Sequence, residues 1–255
     1  MSELIFLGTG TSQGVPMIGC GCEVCRSTDS RDKRLRASVL VRHKGLDVLI
    51  DAGPDFRQQM IREGISHLDA ILLTHNHKDH TGGLDDIRAF NYLEKKATDI
   101  YCEKYVEDSL RMEYSYAFAE NRYPGAPEWN VHLIDDKPFK INDTEIIPIR
   151  GMHFKLPVLG FRFGKMAYCT DMNHIPEEEF DKLQGLEHFI INCVRRGRHI
   201  SHFSLEGALT VAEKVGARHT WLTHLSHQLP PYKELASELP EGVLPAFDGL
   251  RLVWE

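Results

Sequence analysis

Thr74-His75-Asn76-His77-Lys78-Asp79-His80 follows directly on the apolar run Ala70-Ile71-Leu72-Leu73. A short apolar run bounded by polar residues reads as a buried strand. His75, His77, Asp79 and His80 are therefore presented outward from a strand tip. Neutral imidazole and carboxylate are the donors that hold Zn²⁺, and carboxylates also suit Mn²⁺. Adjacent side chains diverge, so this short segment cannot wrap one ion by itself. Two neighbouring ions, each taking part of the segment, resolve that geometry.

The remaining donors are expected at equivalent places. His153 follows the strand predicted at 145–149, Asp171 the strand at 166–169, and His224 the strand at 219–222. Each is a ligand-type residue just past a strand end, as His75 is. A single histidine among the fourteen of the chain would read as an ordinary loop residue. The repeated placement points to a shared metal centre.

Working outward, strands are predicted at 4–7, 38–42, 47–50, 70–73, 99–102, 131–134, 145–149, 159–163, 166–169, 188–192, 219–222 and 250–254. Helices are predicted at 55–63, 103–119, 176–183, 204–215 and 231–238, with Ser204 as an N-cap before Glu206. Strands interspersed with helices, without a repeat or a linker, predict one α/β layered sandwich over residues 1–255. The segment 120–130 reads as a loop leaving a helix rich in aromatics (Tyr105, Tyr114, Tyr116, Phe118). That helix is read as packed on the surface, with a lid or a homodimer contact as the alternative.

Composition narrows the function. The formal net charge of −7 argues against a protein that wraps long nucleic acid, which needs many Lys and Arg contacts to phosphate. It leaves room for a small phosphate ester held by a local positive site. No apolar stretch approaches a membrane span, and the first residues lack the flank and length of a signal peptide. The expected location is the cytoplasm. Three of six cysteines, Cys20, Cys22 and Cys25, are clustered, which in a reducing compartment suggests a metal rather than disulfides. Cys102, Cys169 and Cys193 lie in strand-like runs and read as buried, inert thiols.

The 74–80 segment resembles the His-x-His-x-Asp-His signature of the metallo-β-lactamase superfamily, and the resemblance covers essentially the whole chain. It implies a four-layer αββα sandwich with the site at one edge of the two sheets. It also implies that His75, His77 and His153 hold one divalent ion, that Asp79, His80 and His224 hold another, and that Asp171 bridges them. Asp51 resembles the structural aspartate of that superfamily. A bridging aspartate points to phosphate-ester hydrolysis, because two ions stabilise both the attacking and the leaving oxygen.

Cys20-x-Cys22-x-x-Cys25 supplies three thiolates, one short of a tetrahedral structural Zn²⁺. His227, three residues after His224, is the candidate for the fourth. With the Gly8-Thr9-Gly10-Thr11-Ser12 start and the His224-x-x-His227 ending, the chain is similar to the cyclic phosphodiesterase family of phosphonate breakdown. That resemblance implies a phosphoribosyl cyclic phosphate as substrate. The departing oxygen needs a proton, and a histidine of near-neutral pKa suits that role. His202 matches the general-acid histidine of the family by its spacing before His224, while His199 is expected to face solvent or substrate.

The expected activity is a dinuclear phosphodiesterase of a small cyclic diester, with Zn²⁺ or Mn²⁺ at the active site. The alternatives are a tRNA 3′-processing type of nuclease, for which no basic arm is visible, and a thioester or lactone hydrolase. Arg88 is read as a helix-surface salt bridge, and Arg195 and Arg196 as solvated. Asp69 and Asn173 receive no role.

Overall fold

The computed structural model describes residues 1–255. The first sheet contains β1 (Ser2–Gly8), β2 (Ser38–His43), β3 (Leu46–Ile50), β4 (Ala70–Leu72), β5 (Thr98–Cys102) and β6 (Trp129–Leu133). The second contains β7 (Phe139–Ile141), β8 (Thr144–His153), β9 (Leu156–Phe163), β10 (Met166–Cys169), β11 (His188–Asn192), β12 (His219–Thr223) and β13 (Val243–Pro245). The last strand, β14 (Arg251–Trp254), returns to the first sheet and pairs with β1. The sheet orders are β14-β1-β2-β3-β4-β5-β6 and β13-β12-β11-β10-β9-β8-β7.

Alternation along β1 sets the layers. Leu4 and Phe6 join Phe161, Tyr168, Ile190 and Trp254 in a core between the two sheets. Ile5 and Leu7, on the opposite face, join Phe56, Met60, Phe90 and Val106 beneath helices. A third core, with Cys169, Phe189, Ile191, Ala208 and Val211, lies on the outer face of the second sheet. The expected four-layer αββα sandwich is therefore observed. No helix is long and apolar enough to cross a membrane.

The helices are α1 (Glu23–Arg26), α2 (Phe56–Glu63), α3 (Lys78–Thr81), α4 (Arg88–Glu94), α5 (Lys104–Glu113), α6 (Leu205–Val215) and α7 (Tyr232–Glu238). Ser204 caps α6 as expected, its hydroxyl accepting from the Gly207 amide. Three expectations need correction. The helix expected to run to 119 stops at Glu113, because Tyr114 leaves helical geometry to donate from its hydroxyl to the Thr81 carbonyl at 2.8 Å and to pack edge-on to Trp129. Trp129 and Asn130 belong to β6 rather than to the loop before it. The segment 177–183 is a 3₁₀ run, in which Glu179 and Lys182 share a face and Lys182 bonds the Asp136 and Pro148 carbonyls. The sequence reading also missed β7 and β13, and the short helices α1, α3 and α4.

The aromatics of the 105–118 segment pack within the chain, as in the surface-helix reading. Phe118 packs on Trp129, and the Tyr105 hydroxyl donates to the Pro157 carbonyl at 2.7 Å. Arg88 pairs with Asp85 as expected. Arg195 and Arg196 are not simply solvated: Arg195 donates to the Gly197 and Arg198 carbonyls, and Arg196 pairs with Glu238.

Candidate active site

Most of the expected active-site residues lie just past strand ends, and His202 lies in the loop between β11 and α6. His75 follows β4, His77 and His80 flank and enter α3, and His153 ends β8. Asp171 follows β10, and His224 follows β12. Asp51, Asp171 and His224 each take a left-handed backbone, with φ of 64°, 57° and 54°. Such conformations cost about 1–3 kcal/mol each for residues other than glycine, and they concentrate at functional sites. Here they lie at the turns that leave β3, β10 and β12. Close packing holds the loops: a Cβ at Gly53 would lie 2.0 Å from the Asp79 carbonyl oxygen, so only glycine fits.

Asp79, His80, Asp171 and His224 converge, with donor atoms within 4.8 Å of one another. His80 Nε2 lies 3.3 Å from Asp79 Oδ2 and 3.2 Å from Asp171 Oδ2. His224 Nε2 lies 3.1 Å from Asp171 Oδ1 and 3.6 Å from Asp79 Oδ2. His153, Asp171 and His202 form a second group of the same span, so Asp171 belongs to both. The rings of His75 and His77 are 4.6 Å apart, and His77 is 5.0 Å from His153.

The residues present fit divalent ions. His75 Nε2, His80 Nε2, His153 Nδ1 and both ring nitrogens of His224 are buried without a hydrogen-bond partner. An orphaned buried polar atom is costly unless something binds it. The opposite nitrogens are fixed: the Thr74 hydroxyl meets His75 Nδ1 at 2.9 Å, and Asp51 Oδ2 meets His80 Nδ1 at 2.7 Å. Such outer partners orient imidazoles toward a metal.

The electrostatics agree. Burial alone would lower the pKa of His80, but the carboxylates of Asp171, Asp79 and Asp51 outweigh it and hold the ring well above its ordinary value. Burial and the neighbouring His80 press His75 well below its own. Burial would raise Asp171, yet His224 and His80 overcome it and keep the carboxyl well below the usual range. The site therefore gathers negative charge that calls for cations.

His202 lies on the far side of Asp171, its Nδ1 3.7 Å from Asp171 Oδ1 and its ring 4.8 Å from that of His224. Burial first, then His224, lower the pKa of its imidazole to about 3. Holding a proton there requires negative charge beside it, from Asp171 and from an anionic ligand.

Several supporting residues escaped the sequence reading. Asn192 accepts from the Met172 amide at 2.8 Å and donates to the Met172 carbonyl, fixing the turn after Asp171. Asn173 accepts from the Phe154 amide and donates to the Ile200 carbonyl, joining the loops of His153 and His202. A lone polar residue ending the apolar run 189–191 was the one available signal for Asn192. Asp69 accepts from the Asp47 amide at 2.8 Å and braces β3.

Asp51 was singled out, and its geometry sets a prediction. It is fully buried and accepts from the Thr74 amide, the Thr74 hydroxyl and His80. Asp51→Ala strands all three donors, at a cost of about 3–5 kcal/mol. For a chain of this size the melting temperature should fall by about 10 °C. Calorimetry checks this, and an unchanged melting temperature would show that Asp51 does not hold the metal loop.

The second cluster is also assembled. Cys20, Cys22, Cys25 and His227 place their donor atoms within 4.8 Å of one another. His227 Nδ1 lies 3.3 Å from Cys20 Sγ and 3.5 Å from Cys22 Sγ. The Cys25 amide and His227 draw the Cys22 thiol down to about 6. Cys102, Cys169 and Cys193 are buried and free, and burial pushes Cys102 and Cys193 up to about 12.

Residues 47–225 match the model of the β-lactamase superfamily domain. The chain belongs to that superfamily. The fold implies divalent-metal binding, and the donor clusters described above are the candidate ligands. It is similar to the solved structure of a new diphosphatase from the PhnP family, with 39% identity, a TM-score of 0.93, and coverage of 100% of this chain and 98% of that one. Zn²⁺-bound PqqB from Methylobacterium extorquens shares the fold at 18% identity, with a TM-score of 0.79 and coverage of 99% and 100%. A Porphyromonas gingivalis protein named octanoyltransferase is 43% identical over 252 residues, which are 98% of this chain and 51% of that protein. The chain thus spans about half the length of that curated relative.

Proposed function

We propose that this metallo-β-lactamase-fold chain is a dinuclear phosphodiesterase acting on a small cyclic phosphate diester, such as a phosphoribosyl or nucleoside cyclic phosphate. The observation that carries the reading is the placement of Asp171. This residue belongs to both donor groups, with Asp79, His80 and His224 in one and with His153 and His202 in the other. A carboxylate shared between two donor groups suits two adjacent ions. His75, His77 and His153 would hold one ion, Asp79, His80 and His224 the other, and Asp171 both. Zn²⁺ and Mn²⁺ are the candidates, and a single structural Zn²⁺ would occupy Cys20, Cys22, Cys25 and His227. When bound, the active-site ions supply Lewis-acid stabilisation of the phosphoryl oxygens and acidify water.

The chain supplies positioning and a proton. Asp51 and Thr74 orient His80 and His75. Water adds to phosphorus, the bond to the leaving oxygen breaks, and His202 delivers the proton that this oxygen takes. A small phosphate ester rather than long nucleic acid fits the net charge of −7. A reducing, cytoplasmic setting accords with six free cysteines.

The reading has a second arm. The 39% identical diphosphatase favours a phosphoanhydride as the scissile group, which the same centre could cleave. A screen of metal-defined protein against cyclic nucleotides, cyclic ribose phosphates, linear diesters, diphosphates and octanoyl thioesters separates the arms. Turnover of acyl substrates alone would overturn the phosphate reading.

His202 also lies close enough to His153 and Asp171 to act as a ligand, so its role needs its own test. As proton donor, His202→Ala should lose about 10²–10⁴-fold in kcat on a diester with an alkyl leaving group. It should lose little on a nitrophenyl diester and keep its metal content. Loss of an ion together with equal losses on both substrates would make His202 a ligand instead.

A further inference from the structure

Beside the metal centre opens a cleft of about 830 Å³ that shares His202 with it. Its other walls include Phe154, Asn173, Arg198, His199 and Ile200. If His202 protonates the leaving oxygen, whatever that oxygen carries must extend into this cleft.

Two large apolar side chains are part-exposed there, with the Lys155 amine 5.5 Å from the centroid of the Phe154 ring. Phe154 is 51% exposed and Ile200 is 66% exposed. Single exposed apolar residues are ordinary. These two differ in that their backbones are tied to one residue. Phe154 takes a left-handed backbone, φ 58°, which is disfavoured for a bulky residue. Asn173 holds it there, accepting from the Phe154 amide at 2.9 Å and donating to the Ile200 carbonyl at 3.0 Å. One side chain thus ties both loops, and it sits two residues after Asp171. The loop bearing Arg198 is braced as well, since Arg195 donates to the Arg198 carbonyl at 2.6 Å. The Arg198 side chain itself stays exposed and has no protein partner.

We propose that Phe154, Ile200 and Arg198 form a subsite for a planar aromatic group on the leaving side of the substrate, so that the diester is a nucleotide rather than a bare sugar phosphate. The inference rests on the phosphodiesterase reading for its orientation. An aromatic ring and an aliphatic side chain offer a nucleobase a stacking surface, and a guanidinium stacks on the same kind of face. Rigid placement lowers the entropy lost on binding. The three groups do not read the base edge, so purines and pyrimidines should both be accepted.

The test compares adenosine 2′,3′-cyclic phosphate with ribose 2,3-cyclic phosphate, which lacks the base, on the metal-loaded full chain. The wild type should favour the nucleotide by about 10-fold or more in kcat/KM. Phe154→Ala should raise KM for the nucleotide by about 10-fold with little change in kcat, and should leave the abasic substrate unaffected. Phe154→Tyr should restore the preference. Calorimetric binding of adenosine monophosphate against ribose 5-phosphate gives a second readout that needs no turnover. Equal handling of the two diesters, equal binding of the two monophosphates, or equal losses on both in Phe154→Ala would overturn the subsite. Nucleotide binding that depends on Phe154, without diester hydrolysis, would overturn the phosphodiesterase reading and leave the subsite standing.

Discussion

Asp171→Asn is expected to lower kcat/KM on a cyclic diester by about 10³-fold or more, a loss of about 4 kcal/mol in transition-state stabilisation. It should also reduce the bound active-site metal from two ions toward one. The substitution keeps the volume and one oxygen of the side chain. It removes the charge that faces His80 on one side and His224 and His202 on the other. Changing an outer partner of a metal ligand typically costs 10–100-fold. A carboxylate shared by two ions should cost more, because its charge also offsets their mutual repulsion. Elemental analysis and steady-state kinetics on one preparation check both parts. Near-normal turnover with two ions still bound would exclude Asp171 as the shared ligand.

Much of this centre could be read from the chain because its donors stand where apolar runs stop. His75 and Asp171 each follow a strand whose apolar residues mark it clearly, and His224 follows the shorter apolar pair Trp221-Leu222 of β12. A layered sandwich was legible from strands interspersed with helices, whereas the four-layer order came from the family resemblance. The structure supplies its physical basis, since β1 is apolar on both faces and so needs cover on both sides. β7 was illegible because exposed Lys140 interrupts its apolar residues, and β13 because it is short and ends in Pro245. The end of α5 was illegible because a distant contact, from Tyr114 to Thr81, decides it rather than any local breaker. The supports of the site follow the same rule. Asn173 and Asn192 act on loops brought near them only by the fold. The pKa of His202 likewise depends on how deeply folding buries it beside His224.

Removing one thiol of the cysteine cluster should affect stability about as strongly as Asp51→Ala does. Cys22→Ser is expected to lose the structural Zn²⁺ and to lower the melting temperature by about 10 °C or more, with about a 10-fold fall in activity. The cluster joins the segment around α1 to the loop after β12, which is far away in sequence. Zinc-finger peptides gain about 10–16 kcal/mol from their ion, because they have little core of their own. This chain has three large cores and needs far less from the tie, so about 3–5 kcal/mol is the expected share. Activity should fall because His227 lies three residues beyond His224, so slack in that loop moves an active-site donor. The fall stays moderate because backbone bonds also hold the loop: the Leu225 amide donates to the Thr9 carbonyl at 2.8 Å, and the Thr11 amide to the Leu225 carbonyl at 3.3 Å. Serine preserves the size of the side chain, so a large change reports lost ligation rather than lost packing. Zinc content, melting temperature and turnover, measured on the same protein, separate the two metal sites. Full zinc content with normal melting would refute the structural role of the cluster, whereas lost zinc and lowered melting with unchanged turnover would confine it to stability.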